Sequence, residues 1–448
     1  AGRATWSYHL TNTVLHALVC VGLLELVRKL LPSLPSVTRV ALVLLFALSP
    51  WLSEGYVWIN GRSDPLMSLF LLVALHGAWD AAQAGPRGRV TVFVGCLLAL
   101  LSKEVAALAL PFVVLLPWQR PVGAPPRTLR AFARELAAPA LAFGVYLALR
   151  VNALHGLKTH EGGQQLMAAA RHAPLLMMDG LYRTLVPSDY GLRSLRDDYA
   201  GVEPGWVFAA GLACVALVVL AFLGRKRAPL VSGGLAWYAL TIAPASVIST
   251  VLWPGFGRYL YLRALGVVVA LGDGLALVAD MRPALRRMAL GLPVLLAVLS
   301  APLLVFATTL YVDESTLYAE ARERAPEQAW THGFLGLSLR RAGDCERAIP
   351  LLSRAERIAP TEPRYLIHLG YCLMETQRRD AALAVALEGE RRFRDTRQEA
   401  AFRFIHAGSL PTFQPDEMER LLRRCLEVYP GRPDCMSGLE MVAARRRG

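Results

Sequence analysis

Charge is what this sequence is short of. Only 19% of its 448 residues are Asp, Glu, Lys or Arg, against about 25% in an ordinary soluble domain. The shortage is local: residues 1–312 carry 40 of the 83 charged side chains, and the last 136 residues carry the other 43. A wholly water-soluble protein is excluded, and two solvents are implied: a polytopic membrane domain over 1–312 and a water-soluble domain over 313–448. The excess of basic residues divides as unevenly, with 26 basic and 14 acidic residues in the first part and 22 and 21 in the second. The +13 net charge therefore belongs to membrane loops, and the soluble part lacks the basic face that nucleic acid would require.

Other absences narrow the chemistry. Seven cysteines contain no Cys-x-x-Cys pair. Cys20, Cys96 and Cys214 lie in apolar runs as small buried hydrophobes, and the pairing of Cys345, Cys372, Cys425 and Cys435 is not legible. No metal site, Ser/His/Asp relay or phosphate loop is visible. The first residue is Ala1, and no charged segment precedes the first apolar run, so no signal peptide is read and a longer parent chain is expected. Lysine is missing after Val312, where every basic side chain is arginine. That usage suggests a GC-rich bacterial genome.

A bilayer core of about 30 Å calls for about 20 apolar residues per helix. Spans are expected at Tyr8–Val27, Val37–Leu52, Pro65–Trp79, Phe132–Leu149, Trp206–Leu223, Leu230–Ile248, Ala264–Ala279 and Met288–Tyr311. Val90–Trp118 is too long for one crossing and holds Lys103 and Glu104 at its centre. Read as two short helices, it puts fifteen Lys or Arg in the short loops of one side and five in those of the other. A single crossing would spread the charges about evenly. The positive-inside rule favours the two-helix reading, giving ten membrane helices. Arg225, Lys226 and Arg227 then lie on the cytoplasmic side, while a long loop over residues 150–205 and the tail are external. Within that loop, Gln165–Leu185 is expected to lie as an amphipathic helix on the membrane surface.

The tail carries a repeat. Gly336, Gly343, Ala348, Ala355 and Pro360 have the spacing of a tetratricopeptide (TPR) unit. Gly370 follows Gly336, and Ala382 follows Ala348, by 34 residues, while Pro326 precedes Pro360 by the same interval. A half-repeat at Ser315–Pro326 and a degenerate unit from about Glu399 to Pro430 complete an expected α-solenoid whose groove binds peptide or protein.

Ionisable residues near a membrane are costly and mark sites. His9, Asn12 and His16 share one face of the first span, either hydrogen-bonding its neighbours or lining a site. The next external loop gathers Glu54, Arg62 and Asp64, and the turn after the fourth span holds Lys103 and Glu104. Asp189 follows Pro187 in the long loop, and Arg258, Tyr259, Tyr261 and Arg263 open a later span. His155, His160 and His172 have no ligand spacing, and Asp273 between two glycines suggests close helix packing around a polar contact. The external face thus offers cations suited to a lipid-linked phosphate, with acids left to organise a hydroxyl acceptor or a divalent metal.

The order YHLTNTVLH, SEGYVWINGRSDPLM, LSKE, LVPSDYGL and GRYLYLRALG, followed by TPR units, resembles the transmembrane-and-TPR-containing O-mannosyltransferases and their bacterial relatives. These belong to the GT-C class of polyprenyl-phosphate-sugar glycosyltransferases. The resemblance implies an all-α, GT-C-like membrane domain followed by a TPR solenoid. It also implies a polyprenyl-phosphate sugar as donor, a Ser/Thr hydroxyl of an extracytoplasmic protein as acceptor, and a bacterial inner-membrane enzyme whose active site and tail face the periplasm.

Residue by residue, it places Glu54, Asp64, Glu104 and Asp189 as acidic candidates. Arg258, Arg62, Lys103, Tyr259 and Tyr261 are the candidates for holding the donor phosphate. The family's catalytic acid sits in a loop that would precede residue 1, so the stretch by itself is expected to be inactive. Where the family has Glu before the Arg-Tyr-Leu-Tyr motif this chain has Gly257, and where it has Pro after that motif the chain has Arg263. A non-catalytic membrane scaffold built on the TPR groove is the alternative, as is a lipid-oligosaccharide ligase or transporter.

Overall fold

Residues 5–84, 86–116, 128–154, 171–188, 190–192, 202–252 and 257–447 are described in a computed structural model. Among them there is no strand, and the chain divides into two units, Ala1–Tyr311 and Val312–Gly448, one residue from the expected boundary.

The first unit runs through α1 (Thr5–Leu30), α2 (Ser36–Ala47), a short α3 (Glu54–Val57) with a 3-10 turn at Ile59–Arg62, α4 (Ser63–Ala84) and α5 (Pro86–Ser102). Lys103 interrupts this path with an extended backbone, φ −162° and ψ 128°, before a 3-10 turn (Glu104–Ala109) leads into α6 (Leu110–Leu115). The expected break in the Val90–Trp118 stretch is therefore present, at the charged residue itself. Then come α7 (Leu129–Leu154), α8 (Ala173–Leu185), α9 (Pro204–Gly224), α10 (Pro229–Leu252), α11 (Gly257–Met281) and α12 (Arg286–Thr309). Pro204 and Pro229 stand in the first turns of α9 and α10, where a missing N–H costs nothing.

Five of these helices, spanning Trp6–Leu30, Leu129–Ala153, Pro204–Gly224, Gly257–Met281 and Pro283–Thr309, are long and apolar enough to cross a bilayer. This unit belongs to a membrane protein. Glycine sets the closest helix approaches: a Cβ on Gly234 would stand 2.3 Å from the Gly266 carbonyl oxygen, so only glycine lets α10 and α11 touch there.

The second unit is a run of helical hairpins: α13 (Glu314–Arg324), α14 (Ala329–Arg341), α15 (Cys345–Ile358), α16 (Pro363–Glu375), α17 (Arg379–Arg392), α18 (Glu399–Ser409), α19 (Pro415–Val428) and α20 (Pro433–Arg447). Each helix packs on the next, and α14, α16, α18 and α20 also touch in succession. The 34-residue period reappears in the backbone. Gly343 (φ +83°) ends α14 with Asp344 N–H donating to Leu339 O and its own N–H to Arg340 O. Gln377 (φ +59°), 34 residues on, ends α16 with Arg378 N–H to Leu373 O and its own N–H to Met374 O. Both are left-handed helix ends, a conformation that favours glycine and that Gln377 adopts at some cost. Asp313 and Asp344 cap α13 and α15 by accepting from Thr316 N–H and Arg347 N–H. Ala348, Ala355 and Ala382 are fully buried, as the repeat requires. The four tail cysteines form two disulfides, Cys345–Cys372 between α15 and α16 and Cys425–Cys435 between α19 and α20.

Candidate functional site

The connection between α2 and α4 is the centre of the polar chemistry in the first unit. Trp51, Ser53, Glu54 and Tyr56 in it are buried, so each polar atom there needs a partner. Glu54 finds one at the start of α11, where its carboxylate accepts the backbone N–H groups of Gly257 and Arg258. A carboxylate at a helix N-terminus satisfies free donors and suits the helix dipole. Burial nevertheless pushes its pKa up to about 7, against the lowering effect of the Arg258 charge and those two N–H groups. Gly257 is required by this contact: a Cβ there would lie 2.8 Å from Glu54 Oε2 and 2.3 Å from Trp51 O. The glycine in the motif thus makes room for the buried acid.

Asp64, in the first turn of α4 and 3% exposed, accepts from Lys103 Nζ at 2.6 Å. Lys103 and Glu104 do not pair: Glu104 is largely exposed and faces Arg150 at 3.8 Å. The extended backbone at Lys103 turns the two neighbours apart. Three cations surround one ring: Lys103 Nζ lies 5.8 Å from the centroid of Tyr259, and the guanidinium carbons of Arg258 and Arg263 lie 4.9 Å and 5.9 Å from it. Arg258 also donates to Tyr259 Oη at 3.1 Å and stands 5.1 Å from the Trp58 ring, while its Nε is buried without a partner among the described residues. Arg263 is 2% exposed and donates through Nε and Nη2 to Thr241 O, at 3.0 Å and 2.7 Å. The arrangement gathers three cations around one ring, one of them bonded to Asp64 and another to Thr241 O; such donors are suited to an anion such as a phosphate diester.

Other expected candidates take different places. Arg62 stacks over Tyr8 at 5.0 Å. Tyr261 is fully buried, and its hydroxyl meets His16 Nδ1 at 2.6 Å. His16 in turn stacks on Tyr56 at 4.0 Å and reaches Ala47 O with Nε2 at 3.2 Å. Asn12 donates from Nδ2 to Trp58 O and Ile59 O. Asn12 and His16 therefore fasten the α2–α4 connection and α11. Asp273 accepts from Val231 N–H at 3.1 Å and so caps the start of α10, the polar contact expected between its flanking glycines. Asp189, His155 and His160 lie outside the described residues.

Sequence reasoning missed one part of the site. Arg183 is bonded to Asp179 at 2.6 Å and lies 3.9 Å from the Trp51 ring centroid. Trp51 Nε1 donates to Ser188 Oγ at 3.0 Å, and its ring meets Tyr190 edge-on at 5.2 Å. Tyr190 is buried, with its hydroxyl on that of Tyr311. The Asp179/Arg183 spacing of four was the available signal; the aromatic it rests on comes from 132 residues earlier. The expected surface helix thus begins at Ala173 and packs inward: Leu176, Gly180 and Thr184 are buried, and Tyr238 Oη donates to Met177 O at 2.5 Å.

Among the described residues no three His, Cys, Asp or Glu side chains are grouped to hold a metal ion. No protein-family model matches the chain, and no curated protein matches it either.

Proposed function

We propose that the chain belongs to a GT-C-type membrane glycosyltransferase that moves a sugar from a polyprenyl phosphate to a Ser or Thr hydroxyl of an extracytoplasmic protein. The observation that carries this reading is the gathering of Lys103, Arg258 and Arg263 around Tyr259, beside the buried acids Glu54 and Asp64. In it, Arg258 grips the donor phosphate with its planar fork and Lys103 adds a point charge. The acceptor oxygen forms a bond to the anomeric carbon as the carbon–oxygen bond to phosphate breaks, inverting the centre. The bonding pair leaves on polyprenyl phosphate, where the cations stabilise the developing charge. Glu54 caps α11, Asp64 holds Lys103 and Glu104 faces Arg150; the acceptor proton goes to a general base.

In this reading the loop charges favour a periplasmic side for both the site and the tail. Two disulfides in the tail support that side, since disulfides persist in oxidising compartments. The 34-residue hairpins support a TPR-type stack that holds the acceptor chain.

The test is donor-dependent transfer by the whole protein in membranes, with a polyprenyl-phosphate sugar and an acceptor peptide. Arg258→Lys keeps the charge and loses the two-point grip, so activity should fall roughly 10- to 150-fold, the value of a charge-assisted hydrogen bond of about 1.5–3 kcal/mol. Arg286→Lys, at the other end of the spans, should change little. Equal activity of the two variants would overturn the assignment and favour the scaffold reading.

A further inference from the structure

A groove of about 470 Å³ lies in the first unit, and its lining includes none of the residues around Tyr259. Two of its walls are α9 from Cys214 to Arg225 and α10 from Pro229 to Ala239; α1, α4, α6 and α8 also contribute apolar side chains, and Leu265, Gly266 and Val269 of α11 close it behind. Ten or so helical residues at 1.5 Å each make a slot about 15 Å long, half of a bilayer core of about 30 Å. It therefore has the length of one leaflet. Its lining is almost wholly apolar except at one end, where Arg225 stands on the Phe222 ring at 3.7 Å, followed by Lys226 and Arg227. All three are exposed, and among the described residues no carboxylate pairs with any of them.

The other end is closed by polar rungs. Tyr238 Oη donates to Met177 O, Trp237 Nε1 donates to Leu262 O at 2.9 Å, and Arg263 donates to Thr241 O. Neither Lys103, Arg258, Tyr259 nor Arg263 lines the groove. The α10 helix, 24 residues from Pro229 to Leu252, separates its basic end from the end next to Gly257 and Arg258. On α9, Val215, Val219 and Leu223 face outward and exposed beside the groove, so a bilayer chain has direct access to it.

We infer that this groove binds a phospholipid with an anionic headgroup, drawn from the leaflet at the Arg225 end, its acyl chain between α9 and α10 and its phosphate among Arg225, Lys226 and Arg227. A donor lipid held at Arg258 would enter from the opposite end, where the rungs stand. Positive charge at the aqueous end of an apolar slot is complementary to such a lipid and to no neutral one. The site is independent of sugar transfer and would serve equally in a scaffold.

Native mass spectrometry of the purified protein, titrated with phosphatidylglycerol or phosphatidylcholine, tests it. The wild type should bind phosphatidylglycerol preferentially. At about five-fold per basic residue near an anionic surface, the triple variant Arg225→Gln, Lys226→Gln, Arg227→Gln should lose roughly 100-fold of that preference. Gly233→Leu, at a glycine whose Cβ would meet nothing within 4 Å, should fill the groove and remove binding of both lipids. Val218→Trp, from the facing helix, fills it independently. Phosphatidylglycerol should raise the melting temperature of the wild type but of neither filled variant.

Equal binding of the two lipids, or none, would overturn the inference. So would undiminished phosphatidylglycerol binding in both filled variants, which would mean attraction to the basic loop alone. Displacement by polyprenyl phosphate with the same midpoint would assign the groove to the donor instead.

Discussion

Lys103 and Arg347 each face one carboxylate, yet they sit in different media. The Lys103 partner, Asp64, has a side chain 5% exposed, and the pair spans 39 residues of sequence. Arg347 meets Asp344 across three residues, with side chains 75% and 34% exposed. The first unit has few charges, and at Asp64 it holds one with a single committed partner in a dry place. The second spreads many arginines over exposed acids; where it buries one, as at Glu399, the carboxylate is shared by Arg403 and Arg424. Coulomb's law is common to both units, but the effective dielectric multiplies its consequences several-fold. A count of ion pairs therefore says little about stability, while their burial says much.

The comparison breaks first at those two lysine and arginine positions. Lys103→Met should cost about 3 kcal/mol, because it strands a buried carboxylate, whereas Arg347→Met should cost less than about 1 kcal/mol. Thermal unfolding of the detergent-solubilised protein reads both, and similar losses would mean that Asp64 is hydrated.

The disulfides come next. Cys345→Ser with Cys372→Ser opens a link across 27 residues, which should remove about 3 kcal/mol from the tail. Amide exchange in α15 and α16 should accelerate while that of α10 and α11 stays unchanged; acceleration in both units would contradict their separateness.

Close packing sharpens the contrast further. A Cβ on Gly336 would lie 2.7 Å from Leu352 Cγ, so Gly336→Leu should destabilise the tail by about 2 kcal/mol through overpacking. Gly144→Leu on α7, where a Cβ meets nothing within 4 Å, should be close to neutral by the same melting measurement.

Acidity gives the smallest effect, at most about 1.4 kcal/mol per pH unit for each group, and it acts with opposite sign in the two units. His368 is lowered to about 4 by burial and by Arg340, Arg341 and Arg364. Its neutral folded form loses stability as pH falls from 6.5 towards 4, because the unfolded chain takes up the proton first. Glu54, raised to about 7, loses stability as pH rises from 4.5 towards 7, since the unfolded chain ionises first. His368→Gln should flatten the acid limb in α16 exchange, and Glu54→Gln the neutral limb in the melting of the spans. An unchanged pH profile in either variant would remove that group from the account.

Much of this was legible in the sequence where one strong signal acts alone. Loop charge arithmetic located the interruption near Lys103, and 34-residue spacing located the tail hairpins with Gly336 and Ala348 at their crossings. Partners were harder, because they depend on approach between distant segments. Lys103 stands next to Glu104 in the chain but pairs with Asp64, since an extended residue sends successive side chains to opposite sides. Tyr261 was read with Arg258 as ligand-facing, yet a shift of three helical positions moves it about 60° around α11, toward His16. Glu54 was read as an acidic candidate in an external loop and Asp273 as a polar contact between packed helices; that each caps a neighbouring helix needs the third dimension. Trp51 carried no charge pattern at all, so its contact with Arg183 had no linear trace.

The pairing of Asp64 with Lys103 also constrains the order in which the protein is built. Asp64 leaves the ribosome first, and in the first turn of α4 it can rely on free helix N–H groups alone. Its neutralising amine follows 39 residues later, beyond the whole of α5. A helix inserted one at a time would carry an unmatched carboxylate into lipid, at several kcal/mol. The α4–α5 hairpin with its Lys103 turn is thus the smallest piece that carries Asp64 together with its neutralising amine.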